Sequence, residues 1–193
     1  TSVSAYPLRG RLFILNLEDF FLFGDVITVS YEGTTIQSQS NKTLNTFTDL
    51  TINNIAPYRV VIPAVIQVED YDVMEGMGLE DTSDEGGGQN LGYTDPGDYA
   101  DYSIYVPQTG LYGIKLRIAG FNQGQIGLYS VDENAVETEL IVMNTVITNG
   151  WTTWDTVAGN LTIAEGIHTL KKRIRADCCN CNWHKFEYPT DAA

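Results

Sequence analysis

Between Glu85 and Tyr102 the chain reads EGGGQNLGYTDPGDYADY, which leaves no room for a helix. Gly86, Gly87 and Gly88 admit backbone angles that a side chain would forbid. Asp95-Pro96-Gly97-Asp98 is a strong turn signal. Tyr93 follows Gly92, where a large ring can stand clear of its neighbours. Tyr99, Tyr102 and Tyr105 lead into the strand-like run from Ser103 to Val106. The stretch carries no Lys or Arg. It is expected to form a rigid polar loop that displays aromatics on a β scaffold, a surface suited to neutral polar ligands and above all to sugars.

The rest of the chain agrees with a β scaffold. Across its 193 residues no long helical period appears, while Gly, Thr, Asn and Tyr are abundant, so the expected class is all-β. The net charge of -14 argues against nucleic acid, whose phosphates need Lys and Arg. It equally disfavours anionic membranes and strongly anionic glycans. Two readings of the acidity stand side by side: solubility, or carboxylates gathered for calcium. No apolar run is long enough to span a bilayer. A chain that starts at Thr1 without Met is expected to be a mature product or a fragment of something longer. The cysteines Cys178, Cys179 and Cys181 have no distant partner, so they are expected to be buried or locally paired. With His184 they do not match the spacing of a usual structural zinc site.

Taken in order, residues 1–60 read as a separate β unit. Leu12, Ile14 and Leu17 alternate imperfectly, as in a short strand. VITVSYEG alternates well and ends at Glu32-Gly33, a hairpin-type turn; FTDLTINN reads as a last strand. Pro57 and Pro63 bracket an apolar boundary that is expected to run along the next domain as a strand or tether. A second domain spans residues 65–190. There Ile66, Val68 and Val73 point one way, and Gln67, Glu69 and Tyr71 the other. Leu111, Ile114, Leu116 and Ile118 mark the buried side of a strand with Lys115 and Arg117 exposed. Gly166 to Ala176 is another strand, its Lys171, Arg173 and Arg175 facing outward to pair with acidic loops. Asn149-Gly150-Trp151 is a turn presenting an aromatic ring. Of Trp151 and Trp154, Trp151 is expected to be the exposed one, either in a ligand site or at the rim of the core.

Several segments in order carry a specific resemblance: VIQVEDYD, TSDEGGGQNLGYTDPGDYADYSIYVP, GLYGIKLRIAG, NGWTTWDTV, GIHTLKKRI and NCNWHKFEY. Together, from Val65 to Tyr188, they resemble a family 6 carbohydrate-binding module. The run GDVITVSYEGTTIQSQSNKTLNTFTDLTINN resembles the C-terminal half of a bacterial immunoglobulin-like module. The resemblances imply a β-sandwich of jelly-roll, galactose-binding-like type, preceded by a partial immunoglobulin-like spacer.

The family resemblance also implies roles. Tyr93 and Trp151 would sandwich a sugar ring, with Asn180 and Glu80 as a polar clamp and Glu80 meeting a chain end. Tyr99 matches a position that serves a second cleft in some members. Gln67 and Glu69 would bind a structural calcium with an acid of the final strand, for which Glu187 is the candidate; on the residues alone, the pair reads equally as two solvated side chains. The unusual CCNC run sits where the family has more neutral residues. The family is not catalytic, and neither His168 nor His184 sits in a nucleophile pattern. The implied function is secreted, non-catalytic targeting of a glycoside hydrolase, carried on the same parent chain, to a neutral polysaccharide. β-Glucan or xylan fits best, with agarose also open. The rival reading is a glycan-binding or structural module of a surface adhesion or filament protein.

Overall fold

The computed structural model describes residues 21, 23–33, 36–37, 41–54, 58–132 and 134–188, with the backbone of two short strands near the start. Strands and turns make up the described residues, with no helix among them. The chain divides into two units, Thr1–Tyr58 and Arg59–Ala193.

In the first unit β1 (Ser2–Ser4) pairs antiparallel with β2 (Ile14–Asn16), and β3 (Ile27–Tyr31) with β4 (Phe47–Ile52). Leu12 and Leu17 fall outside the described residues. The expected tight hairpin at Glu32-Gly33 is not what forms. The chain first makes its own bridge between Gln37 and Thr43, with Leu44 N donating to Ile36 O, and β3 meets its partner only at Phe47. The rings of Tyr31 and Phe47 close the pair, 6.1 Å apart.

The second unit begins with β5 (Val60–Val61), β6 (Val65–Gln67), β7 (Val73–Glu75), β8 (Gly78–Asp81) and β9 (Gln89–Gly92). Then come β10 (Tyr99–Val106), β11 (Gly110–Ala119), β12 (Gln125–Val131) and β13 (Glu137–Asn144). It ends with β14 (Asp155–Ile163), β15 (Gly166–Ala176) and β16 (Asn180–Glu187). One sheet runs β13-β12-β15-β10-β5, with β7 also on β10. The other runs β14-β11-β16-β9-β8, with β6 also on β16. Pro57 of the apolar boundary lies outside the described residues; beyond it the chain runs as a strand, β5 pairing in parallel with Ile104 and Tyr105. The stretch read as one polar loop is in fact two strands, β9 and the start of β10, joined by the Pro-Gly turn.

The two sheets form a β-sandwich around a single core to which both contribute, including Ile66, Tyr102, Ile104, Leu116, Leu170 and Phe186. Alternation places these side chains. On β10, Ala100, Tyr102, Ile104 and Val106 face in while Tyr99, Asp101, Ser103 and Tyr105 face out. The buried Tyr102 hydroxyl donates to Val68 O at 3.0 Å. Two expected phases differ. On β11 it is Tyr112, not Leu111, that turns inward, because its hydroxyl finds Gln108 O at 2.7 Å. Val73 is exposed, and Met74 packs against the core instead.

On β15 the outward cations pair with strands of the same sheet rather than with loops: Arg173 with Glu137 at 2.7 Å and Arg175 with Glu139 at 2.6 Å on β13, Lys171 with Asp101 at 3.6 Å on β10. Lys172, between them, is fully buried. It meets Cys181 of the opposite sheet. A register shift in β16 explains that sheet's contribution. Leu116 pairs with His184 and Ile118 with Cys181, so β16 carries one extra residue between them. Both Cys181 and His184 therefore face the core.

Candidate functional site

An open cleft of about 660 Å³ lies against the β8–β9 end of the second sheet and the neighbouring loops, lined by Glu80, Tyr93, Thr94, Asp95, Asn122, Trp151, Asp177, Cys178 and Asn180. It brings together four residues that the sequence singled out: Glu80, Tyr93, Trp151 and Asn180. Glu80 is the hub. Its Oε2 accepts from Asn90 Nδ2 and from Asn180 Nδ2, each at 3.4 Å. It also takes the Tyr93 hydroxyl, and this hydrogen bond raises the phenol above its ordinary pKa.

Local backbone geometry sets these groups. Glu80 pairs with Asn90 across the β8–β9 ladder, and Gly78 with Gly92. A Cβ on Gly92 would lie 2.5 Å from Glu80 Oε2 and 2.9 Å from Asn180 Oδ1, so the two polar groups converge over a glycine. Tyr93, the next residue, has φ of 55°, the left-handed region that large residues seldom adopt. That conformation swings the ring out until 74% of the residue is exposed. Trp151 is 48% exposed at its turn, after Asn149 with φ of 63°. Its ring is braced edge-on by Phe121 at 5.4 Å, and its carbonyl accepts from Asn180 Nδ2 at 3.1 Å. Trp154 is half-buried and bonds Ser83, so Trp151 is the more exposed of the pair, as expected. The lining has exposed aromatics, carboxylates and amides, and no Lys or Arg. It can stack on weakly apolar rings and exchange hydrogen bonds with hydroxyls.

The profile of the carbohydrate binding modules of family 6 matches residues 67–188. The chain belongs to this family. Among curated proteins, the clotting factor G alpha subunit of Tachypleus tridentatus is 34% identical over 123 residues, 63% of this chain and 18% of that protein. Endo-1,4-beta-xylanase A of Thermoclostridium stercorarium is 31% identical over 107 residues, 55% of this chain and 16% of the enzyme. The match thus spans less than a fifth of either relative. Among solved structures, a module of Cellvibrio mixtus lichenase 5A in complex with cellotriose is 30% identical, with a TM-score of 0.60 over 66% of this chain and 98% of that one. A β-1,3-glucan-binding family 6 module from Bacillus halodurans is 29% identical, with a TM-score of 0.62 over 67% of this chain and 98% of that one.

In this family 6 module Tyr99 is not part of the cleft. It stands on the outward face of β10, with Lys171 Nζ 4.0 Å above its ring. Glu75 bonds its hydroxyl and raises its pKa.

The residues expected to hold calcium divide. Gln67 and Glu69 follow one another on the outward side of the β6 segment. Glu69 Oε1 accepts from Gln89 N at 3.0 Å, while its Oε2 is buried with no partner among the described residues. Glu187 is not brought to them. Gln67 pairs with Trp183 on β16, and Glu187 lies four positions further along, about 13 Å at the rise of a strand. There it ion-pairs with Lys115 and Lys185 at 2.7 and 2.6 Å.

Asn182 stands nearer, and sequence reasoning missed it. Its carbonyl accepts from Val68 N at 3.1 Å, and its Nδ2 donates to Asp84 Oδ2 at 2.8 Å. Its Oδ1 is a second buried oxygen without a partner among the described residues. Gly88 closes the other side, where a Cβ would lie 2.6 Å from Glu69 Oε1. Among the described residues no cluster of three or more His, Cys, Asp or Glu forms a metal site. The donors here are mixed carboxylate and amide oxygens, which fit a hard cation such as calcium. Cys178 and Cys179 are joined to each other, which removes them as thiolate ligands.

Proposed function

We propose that this family 6 module binds a neutral β-linked polysaccharide, a β-glucan or a xylan, by holding a sugar ring between Tyr93 and Trp151. The observation that carries the reading is the convergence of both aromatics with Glu80 and Asn180 on one cleft without a cationic side chain. Each ring contributes about 0.5–1.5 kcal/mol of stacking beyond the area it buries. Glu80 and Asn180 take up hydroxyls and fix orientation, since such bonds exchange with water for little net gain. A small site of this kind gives dissociation constants between roughly 1 μM and 1 mM. The cellotriose and β-1,3-glucan ligands of the two similar modules, and the xylanase among the relatives, support the sugar class.

Binding this weak becomes useful when tethering raises the local concentration of a partner domain. The module is accordingly read as an accessory of a secreted glycoside hydrolase on the same parent chain. A disulfide in the cleft wall suits an oxidising compartment. Calcium, held by Glu69 and Asn182 with Gln67 beside them, would neutralise buried oxygens and pin the start of β6 to β16. The unit at residues 1–60 would serve as an immunoglobulin-like spacer.

Isothermal titration against cello-, xylo-, laminari- and agaro-hexaose, for the wild type and Trp151→Ala, tests the reading. Heat with one β-linked class that disappears in the variant is expected. No heat with any of the four would sink it. Glu80 favours chain ends in this scheme, so Glu80→Ala should lose more affinity for short oligosaccharides than for long chains.

A further inference from the structure

The wall of the cleft beside Asn180 is made by a bond between neighbours in sequence. Cys178 and Cys179 form a disulfide, and Cys178 lines the cleft. The turn that carries them is gripped from three sides. A Cβ on Gly124 would fall 1.5 Å from Asp177 O, and one on Gly120 3.0 Å from Cys178 O, so two glycine backbones lie directly against it. On the far side Thr94 Oγ1 donates to Cys179 O and accepts from Cys179 N, both at 3.3 Å. Thr94 is itself the neighbour of Tyr93. The residue after the disulfide is Asn180, whose amide reaches both Trp151 O and Glu80.

The third cysteine takes no part. Cys181 is free and faces the core. A structural disulfide ordinarily joins distant segments and closes a loop. This one closes none, so its effect is confined to the peptide it encircles and to the residue that follows.

We propose that the Cys178–Cys179 disulfide is a positioning element of the sugar cleft: it fixes where Asn180 enters, so that glycan affinity depends on its oxidation while the fold does not. The proposal rests on the sugar-binding reading above. On reduction the S–S bond takes two electrons and two protons and becomes two thiols. With a water-soluble phosphine as reductant, the phosphine is oxidised to its oxide and water supplies the oxygen. The two cysteines then turn independently, and the Asn180 amide loses its fixed approach to Trp151 and Glu80.

The test uses the full chain, oxidised and phosphine-treated, titrated with cello-, xylo-, laminari- and agaro-hexaose. Thiol titration of denatured samples should read three equivalents after treatment in place of one. Cys178→Ser/Cys179→Ser provides the open state without reductant. The expected result is a five- to tenfold loss of affinity, about the worth of one or two hydrogen bonds, with an unchanged far-ultraviolet spectrum. The same comparison in an Asn180→Ala background separates positioning from general loosening: there the oxidation state should cease to matter. Equal affinity before and after opening the bond, or a loss that persists in Asn180→Ala, overturns the proposal and leaves the sugar-binding reading intact. No binding of any of the four sugars by the oxidised chain overturns both.

Discussion

The side-chain amide of Asn180 donates at once to the backbone of Trp151, at 3.1 Å, and to the carboxylate of Glu80, at 3.4 Å. One amide thus ties the aromatic wall of the cleft to its polar wall. Asn180→Asp keeps the shape and reverses the chemistry. It removes the donor and sets a second carboxylate beside Glu80. Affinity for the bound hexaose should fall about tenfold at pH 7, the cost of a lost hydrogen bond with an unfavourable charge in its place. Titration calorimetry of the two proteins at pH 7 reads the loss.

Gly92→Ala tests whether the convergence at Glu80 matters. The added methyl would meet the ends of two side chains, Glu80 and Asn180, rather than backbone. The chain can fold by pushing them aside, so stability should change by less than about 1 kcal/mol. Sugar affinity should drop as far as in Glu80→Ala. Retained affinity would show that the two groups need not meet.

His184 carries a sign that can be checked. Burial among the core residues pushes its pKa well below the ordinary 6.5, with the charge of Lys172 adding to the effect. A group whose folded pKa is depressed binds fewer protons in the folded than in the unfolded state. Its stabilising contribution is complete above pH 6.5 and is lost as the pH falls towards the folded value. Between pH 6.5 and 5, above the ordinary carboxylate range, stability should decline by up to about 1.4 kcal/mol per pH unit. Urea unfolding of His184→Leu over the same interval should show a flatter profile than the wild type.

For calcium the oxygens without partners decide which variants respond. At a hundredfold excess over its dissociation constant, calcium should stabilise the wild type by about 2.7 kcal/mol and raise its melting temperature by roughly 5–10 °C. Glu69→Ala and Asn182→Ala should abolish the shift. Glu187→Ala should keep it, because that carboxylate is held by two lysines elsewhere. A calcium shift lost with Glu187 and kept without Asn182 would reverse the assignment.

The sandwich was legible because strand alternation and turn residues are local signals. Ile114, Leu116 and Ile118, or the Pro-Gly turn before Tyr99, declare themselves within a few residues. Of the four cleft residues, Tyr93 after Gly92 and Trp151 in a turn were legible from their surroundings, and Glu80 and Asn180 through the family resemblance. What stayed hidden depends on distant segments. Asn122, Asp177 and Cys178 reach the cleft only because the loops at 120–124 and 177–180 pack together. Asn182 stayed hidden because Glu187 is the acid that the last strand offers in sequence. Only the pairing of β6 with β16 shows which of the two lies beside Glu69. Lys172 gave the opposite problem: alternation with Lys171 and Arg173 points it inward, yet its chemistry argues for the surface.

The extra residue in β16 bears on how such a module can evolve. That strand sends Asn180 to the cleft, Cys181 and His184 to the core, and Asn182 towards Glu69, and one irregularity sets all of these directions. Deleting or inserting a single residue there would exchange the sets between faces. Point substitutions in β16 are open to selection, but changes of length are closed. New sugar preferences in a lineage built on this chain should therefore arise by substitution in the loops that carry Phe121 and Trp151, which lie outside the register of β16.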